Sequence, residues 1–224
     1  VTLTPTPVVL TLESGFEWEG LGWGDFSKAR GAELVFNTAM TGIEESLTDP
    51  SFFRQTLVST VSHVGNTGYV GEDQESSKIW AEGLICRHLE PRPIHWRAKS
   101  SLASWIVSQG RFVVEGVHTR SLVTTLREQG SQRAVIWSRN VFNNTEQALD
   151  YLKNRIPSMV GADLASQVST SKAWEMPPQH EFGYWPYATL FEPVVAERPR
   201  QVAVWDFGVK SNSLRILSAM GVHL

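Results

Sequence analysis

The residues able to do chemistry here are one thiol, Cys86, and six imidazoles: His63, His88, His95, His118, His180 and His223. A nucleophilic cysteine needs a nearby cation, a metal or a helix N-terminus to lower its pKa. Cys86 instead sits in Gly83-Leu84-Ile85-Cys86-Arg87-His88-Leu89, a mostly apolar strand-like run, so a buried structural thiol is expected. The histidines show no zinc-ligand spacing, and His88 and His95 flank a proline-rich loop. Glu72, Asp73 and Glu75 cluster in a loop, where a solvated acidic face is expected; their spacing does not match a calcium-binding EF-hand. No H-E-x-x-H, C-x-x-C, G-x-x-x-x-G-K-[ST] or G-x-S-x-G occurs. Gly20, Gly22 and Gly24 lack the dinucleotide spacing and precede no amphipathic helix, which makes them strand and loop glycines. These residues compose no complete active site.

The elements that would position them begin as strands. Val8 to Leu12 is β-rich, Glu13-Ser14-Gly15 is a turn, and Phe16 and Trp18 alternate with Glu17 and Glu19, a hairpin pattern. Further strands are expected at residues 33–37, 56–61 and 79–85. Between them Asp49 can cap a short helical turn with Pro50 in its first position. Three amphipathic helices follow. The first starts near Ser100 or Ser101 and stops at Gly110; the second runs from Thr119 to Gln129 and stops at Gly130; the third opens at Asn144 or Thr145 and ends before Pro157. Strands at residues 112–117 and 134–137 separate them. Residues 157–200 lose periodicity and crowd with proline, so an ordered connection is expected, with Trp174, Phe182, Tyr184, Trp185 and Tyr187 free to pack. A buried strand at Val202-Ala203-Val204-Trp205, a turn at Asp206-Phe207-Gly208, a helix from Ser211 to Met220 and a strand start at Val222 predict a β-α-β unit. One strand and a stump make no parallel sheet, so the chain is expected to be a fragment of a longer open α/β protein.

Composition narrows the class. At 224 residues the chain can bury about 70% of its unfolded surface without a metal or disulfide staple. A formal charge of −3 with scattered Lys and Arg argues against nucleic acid as partner. A single cysteine allows no intrachain disulfide and suits a reducing cytoplasm. No apolar run approaches the ~20 residues that span a bilayer, so no membrane association is expected. Nine tryptophans are expected as core and interface anchors.

Phe36-Asn37-Thr38-Ala39-Met40-Thr41-Gly42, followed by Leu47-Thr48-Asp49-Pro50-Ser51, closely resembles the signature of carbamoyl-phosphate synthase small chains. Further stretches match in order: His63 to Gly68, Glu75-Ser76-Ser77, Gly83 to Arg87, Thr119 to Leu122 with Leu126 to Gly130, and Gly161 to Ala165. Trp205 to Asn212 resembles the opening of that family's amidotransferase domain. The resemblance implies an α/β chain: a layered β/β/α N-terminal domain over residues 1–157, a connection over 158–200, and over 201–224 the truncated start of a class I amidotransferase domain with an open parallel sheet. It implies a glutamine-hydrolysing subunit that passes ammonia to a large subunit, which uses ATP and magnesium to make carbamoyl phosphate from bicarbonate for pyrimidine and arginine synthesis.

One site residue carries over: Ser51, the serine after T-D-P, is implied to contact glutamine. The catalytic triad is expected beyond Leu224, so the chain itself is expected to hold no catalytic residue, cofactor or metal, to dock on the large subunit, and to be inactive alone. A non-catalytic docking or regulatory module of a synthetase is the alternative. The sequence departs from the family at Ile43 (usually tyrosine), at Ser62 (commonly proline) and at His118 (usually aspartate), where histidine is expected to cap its helix poorly, at a cost of about 1 kcal/mol.

Overall fold

The computed structural model describes residues 4–178 and 200–224, which fall into two compact units, Val1–Ala162 and Asp163–Leu224. The first unit is built on seven strands: β1 (Thr6–Leu12), β2 (Glu17–Trp23), β3 (Arg30–Asn37), β4 (Gln55–Ser59), β5 (Gly83–Ile85), β6 (Phe112–Glu115) and β7 (Gln132–Trp137). They pair in the order β1-β2-β6-β5-β4-β3-β7, and β7 pairs back onto β1, closing a barrel. β3, β4, β5 and β6 run parallel to their neighbours in that series; the remaining pairings are antiparallel. The mixed α/β character agrees with the expectation, but the two stacked β layers do not. Each strand has a neighbour on both sides, so the sheet curves into itself and leaves no edge to protect.

The alternation of side chains explains the closure. Val8, Leu10 and Leu12 of β1, Leu34 of β3, Val58 of β4, Ile85 of β5, Phe112 and Val114 of β6, and Ala134 and Ile136 of β7 form one interior cluster. Residues one position along the same strands face outward into two other clusters. Leu57, Leu84 and Val113 pack beneath α2 (Leu102–Ser108) and the loops around it, while Val9, Val135 and Trp137 pack beneath α4 (Thr145–Arg155). α3 (Thr119–Gln129) adds Leu122 and Leu126 to the interior. A strand buried on both faces loses the polar alternation of a solvated sheet, which is why these runs look continuously apolar.

The glycines of β2 serve this packing. A Cβ on Gly22 would lie 2.4 Å from the Phe26 ring, and one on Gly20 would lie 2.8 Å from Val114 Cγ1. The hairpin and the three amphipathic helices stand where the sequence predicts them; of the alternative starts, Ser101 and Asn144 supply the caps of the first and third. The strand expected over residues 79–85 shrinks to β5; Ile79 and Ala81 are buried without joining a ladder.

The second unit holds α5 (Ala165–Val168), β8 (Arg200–Gln201), α6 (Ser211–Ala219) and β9 (Val222–His223), with β8 and β9 pairing parallel. The strand expected at residues 202–205 is not formed. Trp205 is 83% exposed and Val202 and Val204 are also exposed, so among the described residues little apolar packing holds this run in a ladder. Asp206 makes the predicted turn, its Oδ1 accepting from the Gly208 and Val209 amides at 2.9 Å each. Trp174 is half exposed. The packing expected of Phe182, Tyr184, Trp185 and Tyr187 lies outside the described residues.

Candidate functional site

Parallel strands direct their carboxyl ends to one side, where ligands of α/β sheets gather. At the ends of β3 and β4 the first unit holds a cavity of about 380 Å3. Its walls come from Asn37 and the turn behind it, from the start of α1 (Ile43–Thr48), and from the loop that carries His63 to Gly68. Two stretches of the signature, distant in sequence, thus face each other across one space. A second cavity, about 580 Å3, lies within the second unit; Trp174, Val202, Val204 and Leu214 make it largely apolar, with Asp206 and His223 among its linings.

Local hydrogen bonds explain why the signature has these residue types. Asn37 folds the chain after β3: its Oδ1 accepts from the Ala39 amide at 2.8 Å and its Nδ2 donates to Ser46 Oγ at 3.0 Å. Gly42, at φ 81°, starts α1 in the left-handed region that suits glycine. Thr48 is wholly buried; its hydroxyl donates to the Glu44 carbonyl at 2.8 Å and accepts from the Glu75 amide at 2.9 Å. Ser76 Oγ donates to the Thr48 carbonyl at 2.6 Å and accepts from Trp80 Nε1 at 2.9 Å. The Leu47-Thr48 and Glu75-Ser76 stretches are therefore clasped together.

The cavity wall is acidic. Glu44 is buried, and its two carboxylate oxygens accept from the Val70 amide at 2.8 Å and the Gly71 amide at 2.6 Å. Burial pushes its carboxyl above the ordinary range, while the two amides pull the other way. Glu45 is pushed up by burial as well, with Asp73 and Glu75 adding like charge. Arg97 balances this side: its Nη2 meets Glu72 at 2.7 Å and Asp73 at 3.1 Å, and its hydrogen bond holds Glu72 below the usual carboxylate range. The expected solvated acidic face holds for Glu72, which is exposed, and is corrected for the other two: Asp73 lines the cavity and Glu75 is buried. Among the described residues, no group of three or more His, Cys, Asp or Glu side chains is arranged to hold a metal ion.

Ser51 lies elsewhere, in the short 3-10 helix Pro50–Phe52 that follows α1. Its amide donates to Asp49 Oδ1 at 2.9 Å, its side chain is exposed, and it does not line the cavity. Asp49 and Pro50 cap and start this turn as their types predict. Phe53 packs edge-on against Trp80 beside it, and Arg54 adopts φ 62° with its guanidinium over Phe53. Cys86 is fully buried and burial pushes its thiol up to about 12, so it is a structural thiol. His118 caps α3 with one weak bond: its Nδ1 accepts from the Ser121 amide at 3.2 Å, the long end of the normal range. Glu44, Glu45 and Asp73 were not anticipated as cavity walls. Their signal was faint, since Glu44 and Glu45 precede the recognised L-T-D-P-S stretch by only a few residues.

The model of the carbamoyl-phosphate synthase small chain, CPSase domain, matches residues 10–136, the span from β1 through β7. The chain is 38% identical over 219 residues to the carbamoyl phosphate synthase small chain of Thioalkalivibrio sulfidiphilus, covering 98% of this chain and 56% of that one. It is 39% identical to the small chain of Xanthomonas campestris pv. campestris, covering 96% and 55%, and 38% identical to that of Pseudomonas aeruginosa, covering 97% and 56%. The chain spans about half the length of these curated relatives. The clasped signature and the match from first strand to last together place this chain in the carbamoyl-phosphate synthase small chain family.

Proposed function

We propose that the chain is the N-terminal portion of a glutamine-hydrolysing small subunit of carbamoyl-phosphate synthase. In this reading the whole protein releases ammonia from glutamine and hands it to a large subunit, where ATP and magnesium drive carbamoyl phosphate formation in the cytoplasm. The barrel unit docks on that large subunit. Residues 201–224 open the amidotransferase domain, and the triad that cleaves glutamine lies beyond Leu224. The observation that carries the reading is the family match over residues 10–136. Among the described residues no thiol is set up as a nucleophile, since Cys86 is buried with its thiol held protonated.

Ser51 is the residue of this chain assigned to glutamine. Its exposed hydroxyl, on a turn whose first residue is the proline of the signature, is free to meet a ligand group brought by another domain. Steady-state kinetics of the full-length protein test this. Ser51→Ala is expected to raise the KM for glutamine about tenfold, as loss of one hydrogen bond to a charged or polar ligand group does, with a smaller change in kcat. An unchanged KM would remove Ser51 from the site and leave this chain a docking module. Residues 1–224 alone are expected to release no ammonia from glutamine.

A further inference from the structure

Two imidazoles 25 residues apart in the sequence meet in the fold. His63 follows β4 and His88 follows β5, and their ring centroids lie 5.0 Å apart with the planes at 68°. The backbone sets this up. Val64 and Leu89 form a parallel bridge, with the Val64 amide donating to the His88 carbonyl at 2.9 Å and the Glu90 amide to the Val64 carbonyl at 2.7 Å. The residues that precede the bridge partners are His63 and His88, so their side chains fall on one face. Both are exposed, so an ion can reach them from solvent.

We propose that His63 and His88 form a binding site for one divalent transition-metal ion of the kind that prefers imidazole nitrogen, zinc being the probe. Two imidazoles bound to one tetrahedral ion, with Zn–N bonds of about 2 Å, place their ring centres about 5 Å apart, the separation found here. His63 Nδ1 lies 3.1 Å from Ser62 Oγ. In the tautomer whose Nδ1–H donates to that hydroxyl, Nε2 keeps its lone pair for the metal, and the outer hydrogen bond orients the ring as it does in metal sites generally. The protein supplies two nitrogens and water supplies the remaining ligands, so the site stays open and exchangeable.

The consequence is local. His63 also lines the acidic cavity, so a bound ion would staple the loop that forms one cavity wall to the end of β5. Binding to the folded state alone stabilises it by mass action.

Titration of the full-length protein with zinc alone, followed by calorimetry and by thermal unfolding, tests the site. Saturable binding is expected that includes one ion lost in His63→Gln and in His88→Gln, each weakening that step at least tenfold, with a metal-dependent rise in unfolding temperature that both variants lose. Ser62→Ala is expected to weaken the same step about tenfold. Both histidines are exposed, so the variants should keep the fold, and circular dichroism checks it. Absence of saturable binding, or binding equal in wild type and both variants, would overturn the site and leave an aromatic contact only.

Discussion

Glu44 shows how a single side chain ties the signature to the fold at a cost. Its carboxylate holds two loop amides, yet burial raises its pKa, so the folded state binds its proton more tightly than the unfolded state does. When the folded state binds more protons, stability falls as pH rises. The contribution is therefore fully present below the ordinary value of 4.5, declines as pH climbs to the raised folded value, and is flat above it. Glu45 adds the same sign. Glu44→Gln cannot titrate. Its stability relative to wild type is expected to increase with pH across that window, read from denaturant midpoints at a series of pH values. A parallel pair of curves would mean that the two amides cancel the effect of burial, and a fall with pH that they outweigh it. None of this was legible in the sequence. Glutamate at the start of a helix is an ordinary residue, and only the fold reveals that residues 70 and 71 deliver their amides to it.

At the scale of the element, legibility followed the physics of local signals. Helices with an apolar stripe and a side-chain cap were placed almost to the residue, because period and cap are both written locally. Short strands were blurred. β5 has three residues, and what makes Gly83 to Ile85 a strand, and Ile79 not, is the neighbour it finds in β4 and β6. Ser51 was placed correctly on its turn, but its distance from the cavity depends on how α1 runs, which the motif does not encode. The start of α3 joins a local signal to a distant one. His118 supplies an acceptor to the Ser121 amide, and Trp18 Nε1 donates to Ser121 Oγ at 2.8 Å, so the first turn is held from two sides. An aspartate there would accept the same amide with full charge at the positive end of the helix. His118→Asp is expected to stabilise the first unit by about 0.5–1 kcal/mol in chemical denaturation. A loss of stability instead would show that the imidazole packs as well as caps.

For the whole molecule, closure of the barrel was invisible in the sequence, because it rests on β7 pairing with both β1 and β3, partners about a hundred residues apart or more in both cases. Once closed, the first unit holds an interior cluster and both outer clusters made, among the described residues, from positions 8–156. That self-contained packing has a measurable form. Residues 1–162 produced alone are expected to unfold in one cooperative transition with native far-ultraviolet circular dichroism. Ending the chain at residue 140 removes α4, whose Ala148 and Leu152 cover Val9, Val135 and Trp137 on the outer face of the closing strands. Burial of side chains of this size is worth about 1.5–3 kcal/mol each, so the shorter chain is expected to lose more than about 3 kcal/mol and to expose Trp137 fluorescence to solvent. If instead residues 1–162 fail to fold while the full chain folds, the barrel depends on the second unit, and the docking role proposed for it would belong to both units together.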